Sequence, residues 1–451
     1  MKVKLILPAL TDALSPFWRP IKYSLFPPLG IATLAGYFSE HDEIELVDEH
    51  VEQIKLDDQP DLVCIEVYIT NAKRSYFIAD HYRSIGVHVI LGGVHVTSLP
   101  EEAAQHADTI VTGPAEGIFD QFIKDFKNRR PQSRYFSLRR DLSIQAPMRR
   151  DLIKSHKYFV PNSLVVSRGC PHSCDFCYKH EFFKNGKSFY TEQVDSVLKE
   201  INQLAGRHLY FLDDHLFGKP KFINQVFDEM YGMNRIFQGA ATIDSILNED
   251  TVDKAAKAGL RSLFIGFESI SENNLHTVNK KHSTVSRYAE AIAKLKDLGI
   301  MINGSFVFGL DNDDKDVFRR TVDWAINSGI TTATFHILTP YPGTRLYKTL
   351  DAQQRITDND WNLYDTRHAV YLPKLMSRKD LEEGYQWSYK EFYKWSNIIE
   401  SAKNNISFQD SFRHAAIAGG WKKLEPMWNL LIKISQAGRL RPLLEKTLKP
   451  Q

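Results

Sequence analysis

Residues 167–178 have the sequence Ser-Arg-Gly-Cys-Pro-His-Ser-Cys-Asp-Phe-Cys-Tyr, which places Cys170, Cys174 and Cys177 on one short segment. Spacings of three and two residues bring three thiolates close enough to bind one metal centre. An iron–sulfur cluster is normally held by four cysteines. Three cysteine ligands would leave one iron with an open coordination position, which a catalytic metal centre needs. We therefore predict a catalytic metal site on this segment.

The composition narrows the class of protein. The chain has 451 residues, of which 43% are hydrophobic and 25% charged, so it can bury a core and form about three domains. Lys and Arg number 57 against 55 for Asp and Glu, and a formal net charge of +2 gives no reason to expect a nucleic-acid partner. Four cysteines are too few for a disulfide scaffold. The fourth, Cys64, lies in an apolar stretch and is expected to be a buried core thiol.

The cysteine segment directly follows the first of six short apolar stretches that we predict to be strands. They lie far enough apart for one crossover helix between consecutive strands. This pattern predicts a partial barrel of six parallel strands over residues 160–350, with the cysteines at a carboxyl strand end, where barrel active sites lie. The predicted strands are residues 163–167, 208–212, 238–243, 262–267, 303–308 and 332–338.

Residues 1–126 show a second alternation of apolar strands and amphipathic helices. Continuous apolar strands separated by helices are typical of parallel strands buried on both faces. We therefore predict an α/β domain with a doubly wound, Rossmann-like or flavodoxin-like sheet. Its predicted strands are residues 3–7, 44–47, 62–67, 87–91 and 109–111, and its predicted helices are residues 30–39, 71–85 and 117–126.

Two other segments lack this alternation. Residues 127–150 hold eight Lys or Arg and one acidic residue, and we interpret residues 127–159 as a basic linker. Residues 351–451 are predicted to form a helical C-terminal region, with helices at 381–402 and 421–435. We find no run of about 18 apolar residues that would span a membrane, and the N-terminal apolar stretch is too short for a secretory signal. We therefore expect a cytoplasmic protein without a transmembrane segment.

The Cys-x-x-x-Cys-x-x-Cys spacing, with the aromatic Phe176 before the last cysteine, resembles the signature of radical S-adenosylmethionine (SAM) enzymes. The ends of later predicted strands resemble that family in the same order, and the resemblance covers residues 160–350. It implies that the three thiolates hold a 4Fe–4S cluster whose open iron binds SAM, and that reductive cleavage of SAM releases a 5′-deoxyadenosyl radical. The matching strand ends are FLDDHLF at 211–217, FIGFES at 264–269, GSFVFG at 304–309 and TPYPGT at 339–344.

The resemblance also implies which groups contact SAM. This ligand carries an ammonium, a carboxylate, a sulfonium and a ribose diol, so carboxylates at strand ends are suitable acceptors for its ammonium or hydroxyl groups. The two adjacent aspartates after the second strand are equally plausible partners. The candidates are Asp213, Asp214 and Glu268 for the ammonium or ribose, Thr242 and Asp244 for the ribose, and backbone groups near Tyr178 and Gly309 for the adenine.

Residues 1–126 resemble the cobalamin-binding domain that precedes the radical domain in one large subfamily. The matching segments are PPLGIATLAGYF at 27–38, LGGVHVT at 91–97 and LPEE at 99–102. Glycines at strand ends let a ligand approach the backbone closely. The resemblance implies cobalamin contacts from Leu29, Gly30, Tyr68, Thr70, Gly92, Gly93, His95, Thr97, Gly113 and Glu116.

Two segments of this domain depart from the family pattern. Gly113-Pro114-Ala115-Glu116 stands where the family has GExE. Asp48-Glu49-His50 imitates a DxHxxG cobalamin motif, but it lacks the glycine and follows the second strand rather than the first. We therefore predict that His50 is a surface or linker residue. The turn at residues 68–71 would face the corrin, and His95 is expected to contact the nucleotide tail or its loop rather than cobalt.

Two cofactors in facing domains point to a methyltransferase. Our leading hypothesis is methylation of an unactivated carbon, or occasionally phosphorus, of a small-molecule or lipid substrate. A radical oxidative cyclase or rearrangement enzyme, similar to the anaerobic cyclase of chlorophyll synthesis, is the alternative within the enzyme class. A non-catalytic iron–sulfur or zinc protein is the other alternative, with His172 or His180 as the fourth zinc ligand. We also expect an electron donor such as flavodoxin or ferredoxin, and the oligomeric state stays open.

Overall fold

A computed structural model describes residues 1–10, 25–142, 145–248, 250–423, 445 and 448 of the chain. These residues form two six-stranded sheets, one two-stranded sheet and the helices that connect them. Every neighbouring pair in the two large sheets is parallel. The predicted fold class is confirmed: a doubly wound α/β unit, a partial barrel of six strands and a helical C-terminal part.

The first sheet has the strand order β2-β1-β3-β4-β5-β6. Alternate side chains of its strands enter two separate cores, since Leu5 packs in one layer and Ile6 in the other. The sheet is therefore buried on both faces, as its continuous apolar strands predicted. The strands are β1 (Lys2–Leu7), β2 (Glu43–Asp48), β3 (Leu62–Glu66), β4 (His88–Gly92), β5 (Thr109–Thr112) and β6 (Arg134–Phe136).

Strand β6 lies inside the segment that we interpreted as a basic linker. It pairs in parallel with β5, and Tyr135 is buried between the exposed Arg134 and Phe136. The ring of Tyr135 packs edge-on against Phe122, and its hydroxyl donates to Asp125 at 2.8 Å. One aromatic side chain thus adds part of this basic segment to the first sheet.

Five α-helices cover the first sheet. A 3-10 turn at Ile69–Asn71 begins the loop after β3, and another at Ala115–Gly117 follows β5, so both lie at the carboxyl edge of the sheet. The helices are α1 (Leu29–Ala35), α2 (Ala72–Ser84), α3 (Val94–Ser98), α4 (Pro100–Ala103) and α5 (Phe119–Lys127). Two further 3-10 turns, Arg150–Leu152 and Ser155–Lys157, lead into the second sheet.

The second sheet has the order β14-β13-β12-β11-β10-β7, so its strands follow one another in chain order. The predicted first strand is split, because β7 ends at Leu164 and Ser167–Gly169 pairs instead with an antiparallel strand as β8. The strands are β7 (Ser163–Leu164), β8 (Ser167–Gly169), β9 (Phe189–Thr191), β10 (His208–Phe211), β11 (Ile236–Ala241), β12 (Leu260–Glu268), β13 (Met301–Phe308) and β14 (Thr332–Ile337).

Most helices of the barrel lie between its strands and pack their apolar faces on one large core, whereas Phe182 of α6 packs on a separate small cluster. Consecutive parallel strands with intervening helices bring all carboxyl strand ends to one edge. The helices are α6 (Lys179–Phe182), α7 (Val194–Gln203), α8 (Pro220–Met230), α9 (Ile243–Leu247), α10 (Thr251–Ala258), α11 (Glu272–Thr277), α12 (Tyr288–Asp297), α13 (Val317–Asn327) and α14 (Arg345–Ala352), with a 3-10 turn at Val285–Arg287.

The C-terminal part begins with a loop, residues 355–372, which we call the strap. Its ends are joined by hydrogen bonds between Arg355 and Leu372 and between Thr357 and Val370, and a 3-10 turn occupies Trp361–Leu363. The helix that we predicted at 381–402 is two helices. The helices that follow the strap are α15 (Arg378–Phe392), α16 (Trp395–Lys403) and α17 (Phe408–Lys423).

Most of the helix that we predicted at 421–435 lies outside the described residues. No helix in the described part of the chain is long and apolar enough to cross a membrane.

Candidate cofactor site

The cysteine loop runs from the end of β8 to the start of α6 and is fastened to three other segments. The Cys170 amide donates to Ser188 O at 3.1 Å, and the Asp175 amide donates to Val278 O at 3.0 Å. The Leu346 amide donates to Asp175 O at 3.0 Å. These bonds connect the loop to the turn before β9, to the end of α11 and to α14, so the three thiols are held at the barrel mouth.

The three thiols lie close enough to influence one another electrostatically. Burial raises the pKa of Cys170 to about 11 and that of Cys174 to about 12, and it also raises the pKa of Cys177. Cys170 and Cys177 also raise the pKa of Cys174. Thiols must lose their protons to bind iron, so cations beside the loop would favour metal binding.

No three His, Cys, Asp or Glu side chains in the described ranges converge on a single metal ion. The ring of His172 stacks on His282, with 3.6 Å between ring centroids, and His180 lies on α6. Cys64, in contrast, is buried in β3 as a core thiol, and burial raises its pKa.

Two lysines flank the cysteine loop, and each is paired with a carboxylate at a strand end. Lys179 begins α6 and pairs with Asp214, while Lys280 follows α11 and donates to Oε1 of Glu268 at 2.9 Å. Burial opposes the charge of Lys280, but Glu268 and then Cys174 raise the pKa of its ammonium group. We did not predict either lysine, because both are far from the strand-end motifs that drew attention to their partners.

The two adjacent aspartates after β10 have different surroundings. Asp213 is buried, and its carboxylate accepts hydrogen bonds from the Val166 amide and from the amide and hydroxyl of Ser167. Burial raises its pKa to about 6. Asp214 is partly exposed and pairs with Lys179 in the wall of a cavity. Asp213 therefore holds the backbone before the cysteine loop, whereas Asp214 lies where a ligand can reach it.

Glu268 is at the end of β12 in an uncommon backbone conformation. Its φ is +61°, and the pairing with β13 shifts register between Gly266 and Glu268. Non-glycine residues in this left-handed region are strained, and such strain is concentrated at functional sites. The Glu268–Lys280 pair presents one negative and one positive group, which complement the ammonium and carboxylate of an amino acid. Both side chains are largely buried, and their charges are of the kind that the methionine end of SAM would require.

Thr242 and Asp244 are at the start of α9. The Thr242 hydroxyl donates to the Asp244 carboxylate, and the Thr242 amide donates to Ser245 Oγ at 3.0 Å. Asp244 also lies 3.9 Å from Nε2 of His172. Thr242 is therefore occupied in starting the helix, while the Asp244 side chain faces the cysteine loop.

A small cavity of about 140 Å³ lies beside Asp244. Three buried atoms at its wall have no hydrogen-bond partner among the described residues: His172 Nε2, His215 Nδ1 and Thr251 Oγ1. Buried polar atoms are usually paired, so this cavity suits a polar ligand. We predicted no role for His215 or Thr251, and we considered His172 only as a fourth zinc ligand, because the three come together only in the folded chain.

The other three residues predicted to lie near SAM, Gly309, Phe176 and Tyr178, have different surroundings in the structure. Gly309 has a φ of +95°, its amide donates to Asp313 at 3.0 Å, and its carbonyl accepts from the Tyr371 hydroxyl. Its backbone is thus already paired within the protein. Phe176 packs on the barrel core. Tyr178 lies under the Lys179 ammonium, 4.8 Å from its ring centroid, and faces Tyr341 edge-on.

Two larger cavities lie between the first sheet and the barrel. The first has a volume of about 480 Å³ and the second about 310 Å³. Tyr68, Val94 and Tyr178 line both, so the two cavities adjoin beside the residue that follows Cys177. The first cavity is also lined by Thr70 and His95, and the second by Leu29, Gly30, Gly92, Gly93, Gly113 and Glu116.

These linings suit a large cofactor with an extended tail. The second cavity is bordered by glycines, and a Cβ on Gly30 would come within 2.9 Å of the Glu66 carboxylate. At the first cavity, His95 is buried, its Nε2 lies 3.0 Å from Glu102 Oε1, and its Nδ1 has no partner among the residues described. Thr97 lines neither cavity, but its hydroxyl links the Gly93 carbonyl to the Gly113 amide.

The prediction that His50 is a surface or linker residue is wrong. His50 is buried, lines the first cavity, and has its Nδ1 at 2.8 Å from Asp48 Oδ1. The Tyr158 hydroxyl donates to the other oxygen of Asp48 at 2.9 Å. The loop after β2 turns inward here because His50 bonds to Asp48 at the end of β2, which in turn accepts from Tyr158 in the segment before β7.

Two family models match the chain. The radical SAM superfamily matches residues 164–325, and the B12 binding domain matches residues 23–123. Bacteriochlorophyllide d C-8(2)-methyltransferase of Chlorobaculum tepidum is 31% identical over 405 residues, which cover 82% of this chain and 86% of that protein. The C-12(1)-methyltransferase of the same organism is 27% identical over 388 residues, which cover 83% and 84%. This chain therefore belongs to the cobalamin-dependent radical SAM methyltransferase family and is an enzyme.

Other similar proteins extend the comparison. The anaerobic magnesium-protoporphyrin IX monomethyl ester cyclase of Cereibacter sphaeroides is 25% identical over 421 residues, which cover 82% of this chain and 67% of that protein. The solved structure of the cobalamin-dependent SAM radical enzyme OxsB with aqua-cobalamin and SAM has a TM-score of 0.70 and 16% identity, covering 99% of this chain and 75% of that one. This structural likeness confirms the fold. The family membership bears out the three cofactors expected from the sequence: a 4Fe–4S cluster, SAM and cobalamin.

Proposed function

We propose that the enzyme methylates an unactivated carbon of a small-molecule substrate. The observation that carries the proposal is the position of Tyr178, which follows Cys177 and lines both cavities of the first sheet. The cysteine loop and the cavities therefore meet at one side chain, where a substrate could reach both. When bound, the cluster and SAM supply a carbon radical, and cobalamin supplies the methyl group.

In this proposal, one set of residues holds the cluster and three sets contact the amino-acid end, the ribose and the adenine of SAM. Cys170, Cys174 and Cys177 hold the cluster. Glu268 and Lys280 orient the amino-acid end of SAM, because their charges complement it and they lie beside Cys174. The ribose lies toward Asp244, with Thr242 fixing that carboxylate. The adenine lies near the backbone of Tyr178, where Phe176 supports the loop.

Cobalamin occupies the two adjoining cavities. We place the corrin in the first, beside Tyr68, Thr70 and His95, and the nucleotide tail in the second. Leu29, Gly30, Gly92, Gly93, Gly113 and Glu116 border the tail, and Thr97 fixes the two glycine turns. The first cavity has strap residues on its far wall, including Tyr364 and Arg367. The strap thus forms part of the wall of the cavity that the corrin would occupy.

A tetrapyrrole is the first substrate class to test. Two similar proteins that span most of this chain carry names of bacteriochlorophyllide methyltransferases. The first cavity would then hold the substrate together with the corrin. Its aromatic side chains, among them Phe26, Tyr341 and Tyr364, would pack on a flat conjugated ring that lies over the corrin. We further propose that the protein works in the cytoplasm and receives electrons from a flavodoxin or ferredoxin.

Product analysis with methyl-labelled SAM tests the proposal. The reconstituted enzyme, loaded with cobalamin, is incubated with bacteriochlorophyllide d and a reductant. The masses of the products are then measured by mass spectrometry. Label on the tetrapyrrole carbon skeleton supports methylation. Cleavage of SAM without label transfer to any tetrapyrrole tested would refute it.

A radical cyclase is the second candidate, because the C. sphaeroides cyclase is similar over 82% of this chain. The same experiment separates the two functions, since cyclisation removes hydrogens from the substrate and leaves the label on methionine. A zinc protein without catalysis would contain zinc and would cleave no SAM.

A further inference from the structure

We propose that Arg367 recognises a carboxylate on the substrate and so sets the orientation of the substrate in the first cavity. This proposal deepens the proposed function and rests on its tetrapyrrole substrate class. Arg367 lies in the strap, which includes neither the cysteine segment nor any segment that resembles the cobalamin-binding domain. The ligand chemistry that it fits is a planar molecule with an acidic side chain.

The first cavity has one Lys or Arg in its wall among the residues that the structure describes, and this residue is Arg367. Two carboxylates line the same cavity, Asp48 and Asp365. Asp48 is engaged by His50 and Tyr158. Ligand pockets contain few polar groups, and these fix the orientation of the ligand. A guanidinium is always protonated in a protein, so Arg367 supplies a permanent positive charge in a wall that is otherwise rich in aromatic rings.

The strap is held at this cavity from two sides. The Trp361 indole donates to Glu102 of α4, and the Ile337 amide donates to the Thr366 carbonyl at 2.7 Å. Ile337 is the last residue of β14, so the second contact lies at the barrel mouth. Arg367 directly follows Thr366. Its backbone is thus fixed at the edge where the carboxyl ends of the barrel strands meet.

Thr366 has a strained backbone. Its φ is +64°, in the left-handed region that β-branched residues very rarely adopt. The contact with the Ile337 amide holds this conformation, as does the Thr366 hydroxyl, which lies 3.1 Å from Nδ1 of His336. Strain of this kind is concentrated at active sites and ligand clamps. The strained position thus supports a ligand-binding role for the adjacent Arg367.

Asp365 orients the guanidinium group. Nε of Arg367 donates to Oδ2 of Asp365 at 2.9 Å, and Nη2 lies 2.9 Å from the same oxygen. The other oxygen accepts from the amides of Arg367 and His368. Because Asp365 also lines the cavity, the ion pair lies at the cavity wall. A guanidinium has five N–H donors, and this pair engages two of them, so Asp365 is a positioning residue for a group that suits a carboxylate ligand.

Equilibrium dialysis of the reconstituted, cobalamin-loaded protein, without SAM, tests this proposal apart from methyl transfer. The two probes are bacteriochlorophyllide d, whose propionate is a free carboxylate, and its methyl ester, which has the same ring without that charge. We expect the wild type to bind the acid about 10- to 100-fold more tightly than the ester, the contribution of a charge-assisted contact. Arg367→Gln should bind both compounds with the affinity that the wild type has for the ester.

Two further variants separate recognition from a structural role. Arg367→Lys keeps the charge but loses the planar fork, so its preference for the acid should be smaller than that of the wild type. Asp365→Asn removes a competing carboxylate and keeps an acceptor for the turn, so the preference should persist or increase. If Arg367 served only to hold Asp365, Asp365→Asn would instead behave like Arg367→Gln.

Arg378→Gln is the matched control. Arg378 lies 3.9 Å from Asp358 of the strap but does not line the first cavity, so this variant should keep the wild-type preference for the acid. The cobalamin content of each variant is measured alongside. A loss of cobalamin in Arg367→Gln would assign the residue to the corrin and overturn the inference.

Equal affinity of the wild type for the acid and the ester would overturn the inference and leave the tetrapyrrole class standing. Binding of neither compound would overturn both. An equal fall in affinity for the two compounds in Arg367→Gln would also overturn the inference, because the residue would then support the cavity without reading the carboxylate. If Arg367→Gln does not fold, Arg367→Lys decides, and an undiminished preference for the acid refutes the inference.

Discussion

The Nε atom of Arg168 donates a hydrogen bond to Oε1 of Glu116 across 3.1 Å, and both side chains are less than one-fifth exposed. Arg168 lies two residues before the first cysteine of the cluster loop, and Glu116 lies in the loop after β5. The pair borders the second cavity. It therefore joins the segment just before the cysteine loop to the loop after β5 of the first sheet.

Glu116→Gln should destabilise the folded protein through this pair. Glutamine keeps an acceptor but removes the charge opposite Arg168, which retains its bonds to Val165 and Gln145, so the loss is about 1.5–3 kcal/mol. The measurement is the urea unfolding midpoint of the variant against that of the wild type. Arg134→Ala is the control, since its pair with Glu101 is on the surface and should leave the midpoint unchanged. A wild-type midpoint for Glu116→Gln would show that the domains do not depend on this contact.

Cys174→Ala should abolish cluster assembly, whereas Cys64→Ala should not. Cys174 is one of three thiols on the loop, and a cluster with two protein ligands would not be retained. Cys64 is buried in β3 and packs in a core of the first sheet. Iron and sulfide are counted after anaerobic reconstitution of both variants. Wild-type iron in Cys174→Ala, or its loss in Cys64→Ala, would contradict the assignment of ligands.

Gly309→Ala should cost more stability than Gly299→Ala. Both glycines have positive φ, +95° and +64°, so alanine strains each backbone by about 1 kcal/mol. A Cβ at Gly309 would also clash with the Tyr371 hydroxyl and come within 2.8 Å of Leu381, whereas nothing lies within 4 Å of one at Gly299. Overpacking adds about 1–3 kcal/mol. Thermal unfolding measures the stability of both variants. An equal loss of stability in the two would show that Tyr371 and Leu381 move away from the added Cβ at Gly309.

The sequence was sufficient for the features that depend on local pattern. Apolar stretches and their spacing predicted both parallel sheets, and the cysteine spacing predicted the loop at the barrel mouth. Two short-range predictions were wrong, because packing decided both. Tyr135 packs on Phe122 and adds β6 to the first sheet, while Asp48, which accepts from Tyr158, holds His50 inside.

The charged surroundings of the site could not be predicted from the sequence. Lys280 is more than one hundred residues from Cys174, and only the crossover from β12 through α11 brings it beside the loop. The choice between Asp213 and Asp214 likewise depended on burial, which adjacent residues in a turn do not share. A motif thus names residue types, while the packing decides which of them face a ligand.

Asp213 should make the stability of the protein depend on pH. Burial raises its folded-state pKa from 3.8 to about 6, so the folded state holds a proton that the unfolded state has already released. The contribution is fully present below pH 3.8 and is lost as the pH rises through about 6. Its size is on the order of 3 kcal/mol. The unfolding free energy of Asp213→Asn should lack this component.

Other carboxyl groups with a raised pKa, such as that of Asp313, also contribute to the pH dependence of the unfolding free energy of the wild type. The difference between the wild type and Asp213→Asn at each pH isolates Asp213, and Asp313→Asn provides an independent comparison. A difference that stays constant between pH 4 and pH 7 would mean that Asp213 is ionised throughout this range.

Trp361→Phe should loosen the strap over the first cavity. The Trp361 indole nitrogen donates to both oxygens of Glu102, at 3.2 and 3.1 Å, and Glu102 also accepts from Tyr76 and pairs with His95. Phenylalanine keeps the ring but removes the donor, which costs about 1 kcal/mol. Hydrogen–deuterium exchange should therefore rise several-fold in residues 355–372 and stay constant in the strands of both sheets.

Trp395→Phe is the control for this substitution, because Trp395 is 55% exposed and distant from the strap in sequence. Added cobalamin should slow the exchange of the strap in the wild type, since the strap forms one wall of the first cavity. In Trp361→Phe this protection should be smaller, because the link from the strap to Glu102 is missing. Equal protection in both proteins would mean that Lys73–Asp360 and the barrel contacts of Thr366 suffice to hold the strap.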